Sequence, residues 1–197
     1  MKKDIILCGV GGQGILSIAT VIGEAATEAG LYLKQAEVHG MSQRGGDVQS
    51  NLRLSTSPIW SDLIPQGGAD LVISMEPMES LRYLPYLSDG GVVVTNDKPF
   101  INIPNYPDQQ ALMAEVEALP AVVKIDIEQL AREAGNPRGA NMVLLGMAAP
   151  SIEILSVEQL RQAIATIFAR KGESVVEANL KAFDRGVAVN TEKAEKR

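Results

Sequence analysis

The sequence predicts a Rossmann-like, doubly wound α/β fold, with a mostly parallel sheet carrying an antiparallel or edge strand or hairpin. Three observations lead there. The apolar run Asp4 to Cys8 opens into Gly9-Val10-Gly11-Gly12-Gln13-Gly14 and then into a helical pattern from Ile15 to Ala29, a strand, glycine turn and helix in succession. Short apolar runs then alternate with segments of 3.6-residue periodicity through most of the 197 residues. One run, Val48 to Leu54, instead alternates apolar with polar residues, as a half-exposed strand does, and such a strand in an α/β domain is antiparallel or near an edge.

Each element follows from local chemistry. Apolar residues at 15, 18, 19, 22, 25, 26 and 29 form one helical stripe, closed by Gly30. Tyr32 to Val38 reads as a second strand and Asp47 to Leu54 as a third; Ser55-Thr56-Ser57-Pro58 then turns, with a short strand expected around Ile59 to Ser61. Ala69 to Ser74 is a buried strand leading into Met75-Glu76-Pro77, where the proline suits the first turn of a helix. Glu76 therefore stands at a strand's carboxyl end, where it either lines the crevice of the first glycine turn or simply favours the helix dipole. Gly91 to Thr95 is the next strand. Pro99, Pro104 and Pro107 mark an excursion before a helix from Asp108 to Glu117. Ala121 to Ile125 is a further strand, and Asp126 to Gln129 and Ser156 to Gln159 have the pattern of capping boxes. Asn141 fits the cap of an apolar helix, Met142 to Ala149. Two stripes, Val157, Leu160, Ile164, Ile167 and Val176, Leu180, Phe183, Val187, give the last helices. With neither repeat nor long linker, residues 1–197 are expected to form one domain, with 191–197 a frayed, charged tail.

Composition removes several function classes. A net charge of −6 and 4% aromatic residues, without a basic stripe, argue against nucleic acid as a partner. The Met1-Lys2-Lys3 start imitates a signal peptide, but Asp4 follows and the apolar run dissolves into glycine. No segment reaches the roughly 20 apolar residues of a membrane span, so a cytoplasmic protein is expected. The single cysteine, Cys8, cannot supply the four thiolates that an iron-sulfur cluster usually takes, nor an internal disulfide. It lies in an apolar strand and reads as a small buried hydrophobe. One histidine, His39, is too few for zinc sites or triads that need several.

Gly9, Gly11 and Gly14 satisfy G-x-G-x-x-G, and Gly12 and Gln13 complete a turn able to meet a ligand or a partner; the helix start behind it offers N–H groups to an anion. Glu37, at the end of the second strand, supplies the acidic residue about 20 positions on that a dinucleotide site wants. An independent NAD-binding module or reductase is one reading. A turn that is only structural is another. Glu37, however, runs straight into His39-Gly40-Met41-Ser42-Gln43-Arg44-Gly45-Gly46, a polar loop bounded by glycines that a plain dinucleotide domain does not require. Arg44 can clasp a phosphate or carboxylate in two parallel bonds, Ser42 and Gln43 add neutral hydrogen bonds, and Met41 offers a flexible apolar contact.

The glycine turn continuing into Ile15, the segment Glu37 to Gly46, and Asn141-Met142 with Leu145-Gly146 occur in an order and spacing that resemble the gamma-type subunit of 2-oxoacid:ferredoxin oxidoreductases. Within that family the likeness is nearest to the small beta-subunit type of the indolepyruvate enzymes, and it extends from about Lys3 to about Val189. The resemblance implies a subunit without a cofactor of its own and inactive alone. Its larger catalytic partner would carry thiamine diphosphate, Mg and iron-sulfur clusters. The complex would convert an aryl 2-oxoacid and coenzyme A to an acyl-CoA and pass electrons to ferredoxin; self-association is compatible with this. It also implies that the loop of His39, Met41, Ser42, Gln43, Arg44, Gly45 and Gly46 lies at the subunit contact or along the coenzyme A path. No Gly-Asp-Gly segment of the thiamine type occurs in the chain.

Overall fold

The computed structural model describes residues 1–39 and 46–194, with the backbone alone for His39 and 190–194. Six strands form one sheet: β1 (Lys2–Val10), β2 (Tyr32–His39), β3 (Asp47–Ser55), β4 (Ala69–Ser74), β5 (Leu87–Asn96) and β6 (Val122–Ile125), in the spatial order β2-β3-β1-β4-β5-β6. β1, β4, β5 and β6 are mutually parallel, whereas β3 runs antiparallel to both of its neighbours. The alternating strand is thus antiparallel and one place in from the edge. The expected short strand at Ile59 to Ser61 does not form; 58–61 is irregular. Arg53 on β3 explains this, because its guanidinium takes the carbonyls of Ser61 and Leu63 at 3.1 and 3.0 Å and so occupies backbone that a ladder would need.

Helices cover both faces. α1 (Ile15–Glu28), α4 (Ile127–Glu133), α5 (Ala140–Ile152), α6 (Val157–Phe168) and α7 (Glu173–Ala194) share a core with Ile5, Leu7, Leu52, Leu54, Leu71, Ile73 and Val94 on one face. The other face is thinner: Ile6, Cys8, Val72 and Val93 pack under Ile64 and Tyr83, with α2 (Pro77–Arg82) and α3 (Gln109–Glu117) on that side. Burying both faces of β1 and β4 explains why their sequences read as unbroken apolar runs rather than alternations.

α5 is apolar all round, and residues 142–149 are all buried, as a helix enclosed by other elements must be. Its cap is Gly139, not Asn141, and it runs one turn beyond Ala149 through Pro150 because the apolar Ile152 is buried there. Gly146, part of the family-like segment, has a steric purpose: a Cβ there would lie 2.0 Å from the Phe183 carbonyl oxygen, and one on Gly186 would lie 2.0 Å from that of Val143. Two bare backbones let α5 and α7 touch. Gly146→Ala should therefore cost about 3 kcal/mol or more by overpacking, read as a lower urea midpoint. An unchanged midpoint would show that the helices separate freely.

Candidate functional site

Antiparallel insertion of β3 decides what stands at the carboxyl end of β1. β2 and β3 are joined by 40–46, and β3 begins with Asp47 opposite Val10. Gly46, immediately before β3, therefore meets the glycine turn, its carbonyl accepting from the Gly11 N–H at 2.8 Å. Gly11 and Gly46, 35 residues apart in the chain, thereby meet at one edge. Of the loop, Met41, Ser42, Gln43, Arg44 and Gly45, together with Gly40, lie outside the described residues; His39 closes β2 and Gly46 is the anchor.

The turn is closed by the protein's own groups. The Gln13 side-chain Oε1 accepts from the Val10 N–H at 2.8 Å, and the Gln13 N–H returns to the Val10 carbonyl at 3.1 Å. Gly9 must be small, since a Cβ would come within 2.9 Å of Gln13 Oε1, 3.1 Å of Met75 Cβ and 3.2 Å of Ile15 Cδ1. Gly14 has φ 87° and caps α1 without a side chain. Asn141, from the start of α5, donates to the Gly14 carbonyl at 3.3 Å, and its Nδ2 would lie 2.7 Å from a Cβ on Gly14. The asparagine expected to be a cap instead ties the third motif to the first. Beside the turn is a cavity of about 380 Å³ lined by Val10, Gly11, Gly12, Gly14, Ile15, Leu16 and Val48. Among the described residues its side chains are aliphatic, without a charged group.

Glu37 lies on β2, opposite Ser50 of β3, and its carboxylate accepts from Gln35 at 2.6 Å. With β3 intervening, it stands two strands from β1, roughly 10 Å at ~4.8 Å per strand. A dinucleotide site has the acidic residue on the strand next to the glycine turn. The sequence spacing is therefore met while the spatial arrangement is not.

Glu76 is fully buried and caps α2, its Oε2 accepting from the Glu79 N–H at 2.9 Å. Its Oε1 reaches across to the proline-rich excursion, accepting from the Phe100 N–H at 3.2 Å and from the Tyr106 hydroxyl. Burial and that bond to a carboxylate push the Tyr106 phenol well above its usual range, so it remains a donor at neutral pH. Met75 donates its N–H to the Cys8 carbonyl at 3.0 Å and also abuts Gly9. Cys8 is itself buried, and desolvation raises its thiol far above the ordinary range, which keeps it from acting as a thiolate nucleophile or metal ligand. Among the described residues no three His, Cys, Asp or Glu side chains group as a metal site would require, and no helix is long and apolar enough to cross a membrane.

A second polar cluster, at the opposite end of the sheet, went unread in the sequence. Asp4 is completely buried and receives Arg53 Nε at 2.8 Å, Arg53 Nη2 at 2.9 Å and Lys2 Nζ at 2.7 Å. Its only sequence signal is a pair of opposite charges on strands that become neighbours. The pair fixes the segment bearing Trp60, 92% exposed.

With this geometry in place, the chain is seen to belong to the pyruvate ferredoxin/flavodoxin oxidoreductase family, whose model matches residues 4–189. It is 39% identical over 197 residues to the indolepyruvate oxidoreductase subunit IorB of Pyrococcus horikoshii, covering 95% of this chain and 96% of that one. Ketoisovalerate oxidoreductase subunit VorA of Methanothermobacter thermautotrophicus is 26% identical over 181 residues, a match of 91% of this chain but only 35% of that longer one. Among solved structures, the gamma subunit of the keto/oxoacid ferredoxin oxidoreductase from Geobacter sulfurreducens superposes with a TM-score of 0.69 at 25% identity, over 96% of this chain and 99% of the other.

The Gly14–Asn141 contact is open to a direct test. Gly14→Ala should cost about 2–3 kcal/mol, combining left-handed strain with the clash, and Asn141→Ala about 1 kcal/mol for the lost bond. In urea denaturation the double variant should be less destabilised than the sum, since the clash disappears. Strict additivity would show that the two residues do not meet.

Proposed function

We propose that this chain is the small subunit of an indolepyruvate-type, aryl 2-oxoacid:ferredoxin oxidoreductase, working in the cytoplasm with a larger catalytic subunit. The observation that carries the reading is the Gly11–Gly46 bond, which ties the residue before β3 to the glycine turn at the carboxyl edge of the sheet. Ligands of open α/β sheets gather at that edge. Near full-length likeness to proteins named as indolepyruvate oxidoreductase subunits supports the substrate class.

The chemistry is divided between the subunits. Thiamine diphosphate, Mg and iron-sulfur clusters do not fit the described residues, which offer one buried, protonated thiol and no cluster of ligating side chains. They are assigned to the partner, where they would supply decarboxylation and electron transfer to ferredoxin. What this chain contributes is the polar segment His39 to Gly46. Arg44 is suited to the phosphates of coenzyme A or to a carboxylate of the partner, with Ser42 and Gln43 as neutral donors. The glycine turn holds Gly46, where that segment ends. A free-standing NAD module is disfavoured by the strand between Glu37 and β1.

Anaerobic affinity purification of the tagged chain should bring down a larger thiamine- and iron-sulfur-containing protein, with indolepyruvate- and coenzyme-A-dependent reduction of an electron acceptor in the eluate. In that assembly Arg44→Ala should raise the coenzyme A KM or lower turnover about tenfold, the equivalent of one charge-assisted contact. A solitary chain that binds NAD would overturn the subunit reading. Unchanged kinetics in the variant would overturn the role of the loop.

A further inference from the structure

The excursion between β5 and α3 is built as a rigid projection rather than as slack chain. Its three prolines restrict the backbone. The buried Glu76 carboxylate holds it at two points six residues apart, the Phe100 N–H and the Tyr106 hydroxyl. Between these pins the chain turns Phe100 and Ile101 into solvent, 48% and 59% exposed, beside a recess of about 580 Å³ lined by Ile101, Pro104, Tyr106 and Pro107 together with the start of α3. Single exposed apolar residues are ordinary on a protein surface. Two neighbours whose backbone is fixed by a fully buried charge have already lost the freedom that binding would otherwise cost.

Position and connectivity indicate the occupant. β5 is parallel to β4 and β1, so the excursion leaves the same edge of the sheet as the glycine turn. Glu76 follows Met75, which abuts Gly9. The projection is thus continuous with the edge assigned above to the catalytic subunit. In the VorA relative the matched region is about a third of one long polypeptide, whereas in the IorB relative it is almost the whole of a subunit. A region tethered in one polypeptide is kept in place by high effective concentration; a separate subunit must be held by its own surface.

Resting on the subunit reading, we propose that Phe100 and Ile101 are the apolar anchor by which this chain docks on the catalytic 2-oxoacid oxidoreductase subunit, with Glu76 and Tyr106 holding the anchor in its bound shape. The complementary surface on that subunit is an apolar pocket.

The test uses the assembled complex. The wild-type chain, the double variant Phe100→Ser/Ile101→Ser, and a second double variant, Trp60→Ser/Leu63→Ser, at the opposite end of the sheet are each tagged and purified with the catalytic subunit. Thermal melts of the isolated chains establish that each variant is folded, as substitutions of exposed side chains should be. The expected result is stoichiometric complex with wild type and with the Trp60 pair, and affinity at least tenfold weaker with the Phe100 pair, as for loss of a hot spot. Wild-type complex with an unimpaired Phe100 pair overturns the anchor and leaves the subunit reading standing. Loss of binding by the Trp60 pair alone moves the interface to the opposite pole and also overturns it. Failure of the wild-type chain to bind overturns both readings.

Discussion

Insertion of the antiparallel strand β3 between β1 and β2 is the constraint on which the rest of the structure depends. Because β3 runs downward beside β1, its first residue, Asp47, lies at the carboxyl end of β1, the place where a strand, glycine turn and helix would otherwise offer open backbone. The Gly11 N–H then finds the Gly46 carbonyl, and the side chain of Gln13 takes the Val10 N–H. Two of the turn's donors are satisfied within the protein. The glycine turn thereby holds Gly46 at the start of β3.

Two fully buried carboxylates, Asp4 and Glu76, divide the labour at the two ends of the sheet. At the amino end, Asp4 with Arg53 and Lys2 secures the new strand to β1, and the remaining Arg53 donors secure the segment after it. At the carboxyl end, Glu76 joins the start of α2 to the excursion after β5. Each buried charge has several donors, as its desolvation requires, and each fixes irregular backbone that lacks a ladder of its own. The bare contact between α5 and α7 places Asn141 at the mouth of the glycine turn. The third family-like segment thereby reaches the first.

Much of this was legible in the sequence because periodicity reports burial. The glycine turn, the alternation of β3, the apolar runs of β4 and β5 and the stripes of α6 and α7 all stand within a residue or a few of where the pattern puts them. The Ser156 to Gln159 capping box forms in full. What could not be read were contacts between segments far apart in the chain. Arg53 pairing with Asp4, Asn141 leaving its expected cap for Gly14, and Glu76 spanning to Tyr106 depend on which segments become neighbours, and local propensity carries no such information. Glu37 shows the limit most plainly: its spacing fits the dinucleotide pattern, yet spacing along a chain does not reveal a strand slipped in between.

The central claim is that the glycine turn is closed by this protein's own acceptors, the Gly46 carbonyl and the Gln13 side chain. Native-state hydrogen exchange at the amides of Val10 and Gly11 addresses it most directly. Protection comparable with the amides of the β1 ladder is the result this account predicts. Exchange at the rate of an unstructured loop would contradict it, returning the turn to the role of an open ligand cradle.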